Sequence, residues 1–238
     1  LDDEEPIFDL KIAMKRNSFV MPKMLLKKGN SLKKINNSEY VIEDEITIGG
    51  QDHFYLEGQI SLVIPDEDNK FTVWSSTQHP TEVQHCVANV LGISQAKVTS
   101  KVRRLGGGFG GKESQASIIA SITALCSWYF GTPAKLRLTR HDDMLATGKR
   151  HDFLSLYKVG FNSDGRIQGL EVNLLSRAGN VADLSGPVMT RAMTHIDNCY
   201  SLKNVTINGY CCKTNTVSNT AFRGCLLYTS DAADDDHC

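Results

Sequence analysis

The amino-acid sequence predicts a mixed α/β fold of the α+β kind. Predicted strands and helices alternate in the first half of the chain, and predicted strands dominate after residue 131. No segment repeats at a fixed period, so a repeat architecture is excluded. The 238 residues are 41% hydrophobic and 22% charged, which is typical of a globular protein with a sizeable core.

The first predicted elements are strands. The segments "YVIEDEITIGG" (40–50), "QISLVIPDED" (59–68) and "KFTVWSST" (70–77) alternate β-branched and polar residues and end in turn residues. The segment "QHPTEVQHCVANVLG" (78–92) then predicts a helix, with Pro80 near its start and Gly92 at its end. A further strand, "KVTSKVRR" (97–104), leads into a glycine-rich loop.

The clearest predicted helix runs from Glu113 to Phe130 and ends before Gly131. Its apolar residues recur at helical spacing: Ile118, Ile119, Ile122, Leu125, Cys126 and Tyr129. Strands are predicted after it at "AKLRLTR" (134–140), "FLSLYKVGF" (153–161) and "IQGLEVNLLS" (167–176), the last two joined by the turn "NSDG". The lysine-rich stretch 23–34 is interpreted as a solvated loop with short helical or extended pieces.

Charge and apolar patterning exclude several classes of partner. The formal net charge of −1 provides no field to attract nucleic acid, and no stretch reaches the roughly 18 apolar residues of a membrane span. We therefore predict neither a nucleic-acid nor a membrane partner. The acidic N-terminal segment does not resemble a signal peptide, and the seven cysteines lack metal-binding spacing. These features predict a cytoplasmic protein with reduced thiols.

No motif for hydrolytic or protein-ligated metal chemistry is present. The seven histidines form no H-x-x-x-H pair, and no G-x-S-x-G elbow occurs. The segments "RHDDML" (140–145) and "KRHDF" (149–153) each contain a His-Asp step. We interpret them as charged loop residues that flank a strand, rather than as part of a metal phosphohydrolase.

The glycine-rich segment "RRLGGGFGGKES" (103–114) nearly matches a nucleotide-binding loop. From Gly106 it reads G-x-x-x-x-G-K, but the eighth position, where Ser or Thr would bind magnesium, is Glu113. A carboxylate there would repel a polyphosphate, although a P-loop domain remains an alternative. A second alternative is that the glycines only permit a tight turn between a strand and a helix.

Four polar residues lie next to predicted turns or element ends. They are Gln78, Glu113, Arg191 and Arg223. Taken singly, each is typical of a surface or capping residue, so the residue types alone indicate an α/β domain with a glycine-lined pocket.

The segments "STQHP", "RRLGGGFGGKES", "RAMTHIDNCY" and "SNTAFRG" together resemble the molybdenum-cofactor domain of the xanthine dehydrogenase and aldehyde oxidase family of molybdenum hydroxylases. The resemblance covers roughly residues 5–224. It implies a molybdopterin cofactor whose metal is not held by protein side chains. It further implies that Gln78 hydrogen-bonds an oxygen ligand of molybdenum, and that the backbones of Phe109, Gly110 and Arg223 lie near the metal.

The same resemblance implies the substrate. Glu113 matches a glutamate that hydrogen-bonds a purine, and Arg191 matches an arginine that offsets negative charge on it. Members of the aldehyde oxidase type generally lack this pair, so xanthine or hypoxanthine is favoured over an aldehyde, which remains an alternative. The implied reaction is hydroxylation with water as oxygen donor, and electrons pass through 2Fe-2S clusters and FAD to NAD⁺.

The chain departs from the family pattern at its C-terminal end. Cys225 stands where the family has phenylalanine, and the glutamate base of the family would lie beyond this sequence, so no catalytic residue is assigned. We therefore predict residues 1–224 to be part of a first cofactor-binding subdomain and residues 225–238 to be an unrelated tail. The resemblance implies a homodimeric, cytoplasmic or peroxisomal parent enzyme, and an inactive isolated chain. A non-catalytic scaffold remains an alternative.

Overall fold

The computed structural model describes residues 5–224. In chain order the helices and strands are α1 (Leu10–Lys15), β1 (Met24–Lys28), α2 (Ser31–Asn36), β2 (Tyr40–Ile48), β3 (Ile60–Asp66), β4 (Lys70–Ser75), α3 (Pro80–Leu91), β5 (Val98–Lys101), α4 (Gln115–Phe130), β6 (Ala134–Arg137), α5 (Arg140–Ala146), β7 (Phe153–Phe161), β8 (Ile167–Gly179), α6 (Ser185–Thr194) and β9 (Val205–Lys213). The predicted mixed α/β fold is confirmed.

The described chain divides into two compact units. The first unit comprises residues 5–51, 150–219 and 223–224, and the second comprises residues 52–149 and 220–222. This division does not test the prediction that residues 1–224 are part of one subdomain. The predicted tail, residues 225–238, lies outside the described residues.

The first unit is built on a five-stranded sheet with strand order β1-β9-β8-β7-β2. Strands β7 and β8 pair antiparallel across the predicted turn, where the Gly165 N–H donates to the Asn162 carbonyl at 2.9 Å. Apolar side chains of α1 pack on this sheet in a cluster that contains Leu10, Ala13, Leu154, Leu175 and Cys212. Burial, together with the adjacent Cys211 thiol, raises the pKa of Cys212 to about 12, which keeps this thiol protonated.

The second unit is a four-stranded sheet with order β5-β4-β3-β6, covered by α3 and α4. Strands β4 and β5 are parallel, and α3 connects them, as a parallel pair requires. The core between sheet and helices consists of alanine and valine side chains and one phenylalanine: Val63, Phe71, Val73, Val83, Val87, Ala88, Val98, Ala120 and Ala124.

The two longer helices of this unit end at glycines, as predicted. Gly92 follows α3 with φ of 65°, and Gly131 follows α4 with φ of 63°, the left-handed conformation that glycine adopts without strain. Helix α4 buries its small residues, including Ala116, Ala120 and Ala124, against the sheet. The larger apolar residues that predicted the helix lie on its exposed side, except Ile119, because mainly small side chains pack between helix and sheet.

Four elements were absent from the sequence prediction: α1, α5, α6 and β9. Elements β1 and α2 were predicted only as unspecified short pieces of the lysine-rich stretch. Helices of six or seven residues, such as α1, α2 and α5, carry too few turns for an apolar period to emerge. The lysine-rich stretch 23–34 does contain one short strand and one short helix with exposed lysines, so that interpretation is confirmed. Within residues 5–224 no helix is long and apolar enough to cross a bilayer.

Candidate functional site

Gln78, just past the end of β4, fixes the glycine-rich loop. Its side-chain Oε1 accepts hydrogen bonds from the Gly110 N–H at 2.9 Å and from the Lys112 N–H at 3.2 Å. Its backbone N–H donates to the Lys112 carbonyl at 2.8 Å. Because Oε1 has two donors, the carboxamide orientation is determined by the network, and the amide nitrogen faces away from these bonds.

The loop glycines are required by neighbouring protein atoms. A Cβ on Gly108 would lie 2.4 Å from the Gln78 Oε1, and one on Gly111 would lie 2.7 Å from the His53 ring. Gly110 has φ of 96°, and a Cβ there would lie 2.6 Å from the Ala221 carbonyl oxygen. Glycine is therefore needed at these positions for the loop to pack on the protein itself.

The segment that precedes Arg223 packs on the same loop within the second unit. Its Ala221 carbonyl, against which Gly110 packs, lies 2.6 Å from the His53 Nε2. The Phe222 ring centroid lies 4.7 Å from the centroid of His53. Two segments more than a hundred residues apart in the sequence, "GGGFGG" and "NTAFRG", thus meet in the structure.

Lys112 is fully buried beneath the loop. Its Nζ donates to the Glu57 carbonyl at 2.6 Å and to the Ser76 Oγ at 2.7 Å, and it lies 3.4 Å from the Glu57 carboxylate. Nζ also lies 4.6 Å from the centroid of the Tyr55 ring, a cation–π distance. Burial lowers the pKa of Lys112, and the Glu57 carboxylate only partly opposes this. A lysine held in this way is not available to a nucleotide phosphate.

Glu57 connects Lys112 to the start of the loop. Its Oε2 accepts from the Ser76 hydroxyl at 2.6 Å and from the Gly106 N–H at 2.8 Å. Burial by itself would raise the pKa of Glu57, but these two hydrogen bonds and the Lys112 charge outweigh it and lower the pKa. Glu57 is therefore an ionised carboxylate near neutral pH.

Asp143 supports this region from α5. Its two carboxylate oxygens accept from the Tyr55 hydroxyl at 2.6 Å and from the Gln59 N–H at 2.7 Å, and it is only 2% exposed. The Gln59 side chain in turn donates to the Gly111 carbonyl at 2.9 Å. Burial, followed by the hydrogen bond to Asp143, raises the pKa of Tyr55, so the phenol stays protonated.

The interpretation of the two His-Asp segments as charged loop residues that flank a strand was wrong for "RHDDML" and is confirmed for "KRHDF", whose first four residues precede β7. "RHDDML" forms most of α5, and its Asp143 is buried because it satisfies the donors just described. In "KRHDF", His151 is buried with its Nε2 2.7 Å from the Ser185 Oγ, and Asp152 pairs with Arg177 at 2.8 Å. The pattern of charges along the sequence does not predict which polar residues are buried, because their hydrogen-bond partners are distant in sequence.

The surface of the loop presents hydrogen-bond donors. Among residues 5–224, no acceptor receives a bond from the N–H groups of Gly108 or Phe109, or from the Gln78 amide nitrogen. Phe109 has φ of 53° and its side chain is 43% exposed. A set of unpaired donors on a glycine loop fits an oxygen-rich or anionic group.

The structure places the other predicted residues as follows. Glu113 is half-buried in the second unit, two residues before α4 begins. Arg191 is exposed on α6, and Arg223 is exposed with its carbonyl accepting from the Arg150 guanidinium at 2.6 Å; both belong to the first unit. Gln78 and Gly110 are thus in direct contact, whereas the substrate roles of Glu113 and Arg191 stay predictions.

Sequence reasoning missed the residues that hold the loop in place: Glu57, Lys112 and Asp143. Lys112 was considered only as a phosphate ligand. The available signal was a charged residue directly after the glycine run, since such a residue must be paired when the loop packs on the protein.

Several solved structures share this fold. Quinoline 2-oxidoreductase from Pseudomonas putida 86 superposes with a TM-score of 0.82 at 18% identity, over 95% of this chain and 30% of that one. Aldehyde oxidoreductase from Desulfovibrio gigas superposes with a TM-score of 0.79 at 21% identity, over 89% of this chain and 23% of that one. At these identities the likeness concerns the fold alone.

The sequence identifies the family. Residues 14–227 match the molybdopterin cofactor-binding domain, and the chain belongs to that family. It is 43% identical over 224 residues to xanthine dehydrogenase/oxidase of Gallus gallus and 44% identical over 218 residues to xanthine dehydrogenase of Dictyostelium discoideum. These alignments cover 94% and 92% of this chain but only 16% of each relative. The resemblance seen in the sequence motifs is confirmed.

Proposed function

We propose that this chain forms part of a molybdenum-dependent hydroxylase that oxidises purines, of the xanthine dehydrogenase type. The observation that carries the proposal is the donor-lined glycine loop fixed by Gln78, in a chain over 40% identical to several xanthine dehydrogenases. The aldehyde oxidase type is the second candidate, because an aldehyde oxidoreductase shares the fold.

The residues of the loop fit a molybdopterin group. The carboxamide of Gln78 and the N–H groups of Gly108 and Phe109 are donors without a protein acceptor in the described chain. Backbone and carboxamide donors suit the oxygen atoms of such a cofactor and do not compete as metal ligands. We assign cofactor binding to Gln78 and to the backbones of Phe109, Gly110 and Arg223.

The chain contributes binding and orientation, since the cofactor carries the redox chemistry. When bound, molybdopterin would supply the metal centre that accepts electrons from the substrate, with water as the source of oxygen. Gln78 would fix the orientation of an oxygen atom, and its own orientation is fixed by the Gly110 and Lys112 N–H groups. Because the Gln78 carboxamide is already held in place, it would not have to reorient during the reaction.

Glu113 and Arg191 are assigned to purine binding. A carboxylate accepts hydrogen bonds from purine N–H groups, and a guanidinium offsets negative charge that develops on the ring. The assignment is supported by the motifs that surround both residues and by the identity to xanthine dehydrogenases. A simple aldehyde offers no N–H group that could donate a hydrogen bond to the carboxylate.

The rest of the proposal concerns the longer polypeptide. The chain spans about 16% of the length of the relatives named above. We propose that the remaining sequence supplies the catalytic base, 2Fe-2S clusters, FAD and the NAD⁺ site, in a homodimeric enzyme of the cytoplasm or peroxisome. The family match ends at residue 227, and we also propose that the chain departs from the family sequence within residues 225–238. Reading the transcript after the Gly224 codon would test this.

The proposal is tested with the full-length polypeptide encoded by the source transcript. We expect xanthine-dependent dye reduction that exceeds reduction with a simple aldehyde, and no reduction by the isolated 238-residue chain. Arg191→Met should slow xanthine oxidation about 100- to 1,000-fold, the usual effect of losing a donor aimed at developing charge. Arg166→Met is the control, because Arg166 is an exposed turn residue of the same unit.

Two outcomes would contradict the proposal. Faster oxidation of the aldehyde than of xanthine would support the aldehyde oxidase type. A full-length polypeptide that contains no molybdenum and oxidises neither compound would support the non-catalytic scaffold.

A further inference from the structure

Helix α4 presents an apolar face to solvent. Its 16 residues include no charged side chain, and its small residues are buried against the sheet of the second unit. The exposed residues of α4 are all apolar, aromatic or cysteine: Ile118, Ile122, Leu125, Cys126, Trp128, Tyr129 and Phe130. A helix at a permanent protein surface carries polar residues on its outer side, so this helix has the composition of a buried one.

The exposed residues follow the spacing of a helix–helix contact. Ile118, Ile122, Leu125 and Tyr129 are separated by four, three and four positions, which places them in one stripe along the helix. Sixteen residues extend only about 24 Å at 1.5 Å per residue, less than the roughly 30 Å of a bilayer core. The stripe, which we call the α4 seam, therefore suits a protein partner.

We propose that the α4 seam is covered by an apolar helix contributed by the longer polypeptide. The relatives contain about five-sixths of their length outside the aligned region, which provides ample chain for such a segment. A second copy is the weaker candidate, because stable dimer interfaces use about 20–30 residues a side and one helix face supplies far fewer. A segment of the same polypeptide needs less contact area, since tethering raises its effective concentration. This inference rests on the proposed function.

Cys126 provides a natural probe of the seam. It is an exposed thiol on α4, and the tryptic peptide 113–135 contains no other cysteine. In the 238-residue chain we expect a maleimide to label Cys126 about as fast as the exposed Cys199. In the full-length polypeptide we expect labelling of Cys126 to slow about tenfold or more, and to recover in denaturant, as burial of a thiol requires. Peptide mass spectrometry measures both rates.

A photo-crosslink identifies what covers the seam. Tyr129→p-benzoylphenylalanine replaces one exposed aromatic side chain by another. In the full-length polypeptide the crosslink should form within one chain and join residue 129 to an apolar segment outside residues 1–238. A crosslink between two copies would overturn the proposal in favour of self-association. A crosslink within residues 1–238 would overturn it in favour of cover by this chain.

The labelling result separates this inference from the proposed function. Equal labelling of Cys126 in the short and full-length chains, with xanthine oxidation intact, would overturn the covered seam alone. A protected Cys126 in a polypeptide that oxidises no purine would overturn the proposed function alone. A transcript that encodes nothing beyond this chain would overturn both.

Discussion

At the scale of single residues, glycine is needed in the loop for more than one reason. Gly110 combines φ of 96° with a backbone carbonyl 2.6 Å from the position of a Cβ, so an alanine there meets both strain and a clash. Gly165, in the turn between β7 and β8, has φ of 76° but nothing within 4 Å of its Cβ position. A comparison of alanine substitutions at Gly110 and Gly165 therefore distinguishes the cost of positive φ from the cost of a steric clash.

We predict that Gly110→Ala lowers the free energy of unfolding by about 3 kcal/mol or more, because the Ala221 segment must shift. Gly165→Ala should lower it by about 1 kcal/mol, the cost of positive φ alone. Urea unfolding followed by circular dichroism measures both values. Equal losses would mean that the loop does not pack on the Ala221 carbonyl as described.

At the scale of elements, the glycine loop depends on ionised groups beneath it. Glu57 accepts from the Gly106 N–H and contacts Lys112, and its pKa is lowered in the folded protein. A carboxyl whose folded pKa is depressed contributes stability above its unfolded pKa, and this contribution is lost as the pH falls through the folded value. The loop should therefore weaken in acid.

We predict that Glu57→Gln destabilises the protein most near pH 7, and that its stability difference from the wild type shrinks once the pH falls below the ordinary value of 4.5. Urea titrations between pH 3 and pH 7 measure this difference. Glu67→Gln is the control for the loss of a surface carboxylate, because Glu67 is exposed in the turn between β3 and β4. A constant difference for Glu57→Gln would contradict the role of its charge.

At the scale of the whole molecule, the structure weighs against the nucleotide-binding alternative. The Lys112 ammonium is enclosed by Glu57, Ser76 and the Tyr55 ring, so it cannot reach a phosphate without leaving its partners. Removing the buried ammonium from these partners would leave donors and acceptors of the loop unsatisfied, a cost that a weak phosphate contact would not offset.

We predict that Mg-ATP leaves the melting temperature of the chain unchanged, because a ligand raises it only by binding the folded state. Thermal unfolding with and without Mg-ATP measures this. An increase that is abolished in Lys112→Met would instead support a P-loop domain.

The sequence alone determined the class of fold, the two longer helices of the second unit and the family. Gly92 and Gly131 marked helix ends, and the segments around Gln78, Gly110 and Arg223 carried enough identity to indicate a molybdopterin domain. These signals are local, because helix caps, turns and motifs depend on residues that are close together in the sequence.

Only the tertiary structure decided which residues hold the loop and which side of α4 is buried. The Lys112 ammonium donates to residues 36 and 55 positions away, and the Asp143 carboxylate accepts from residues 84 and 88 positions away. No periodic pattern encodes such pairs. Most large apolar residues of α4 face outward, because the sheet packs against the side that carries the small residues. Hydrophobic spacing predicts that a helix forms, whereas packing density decides which side it buries.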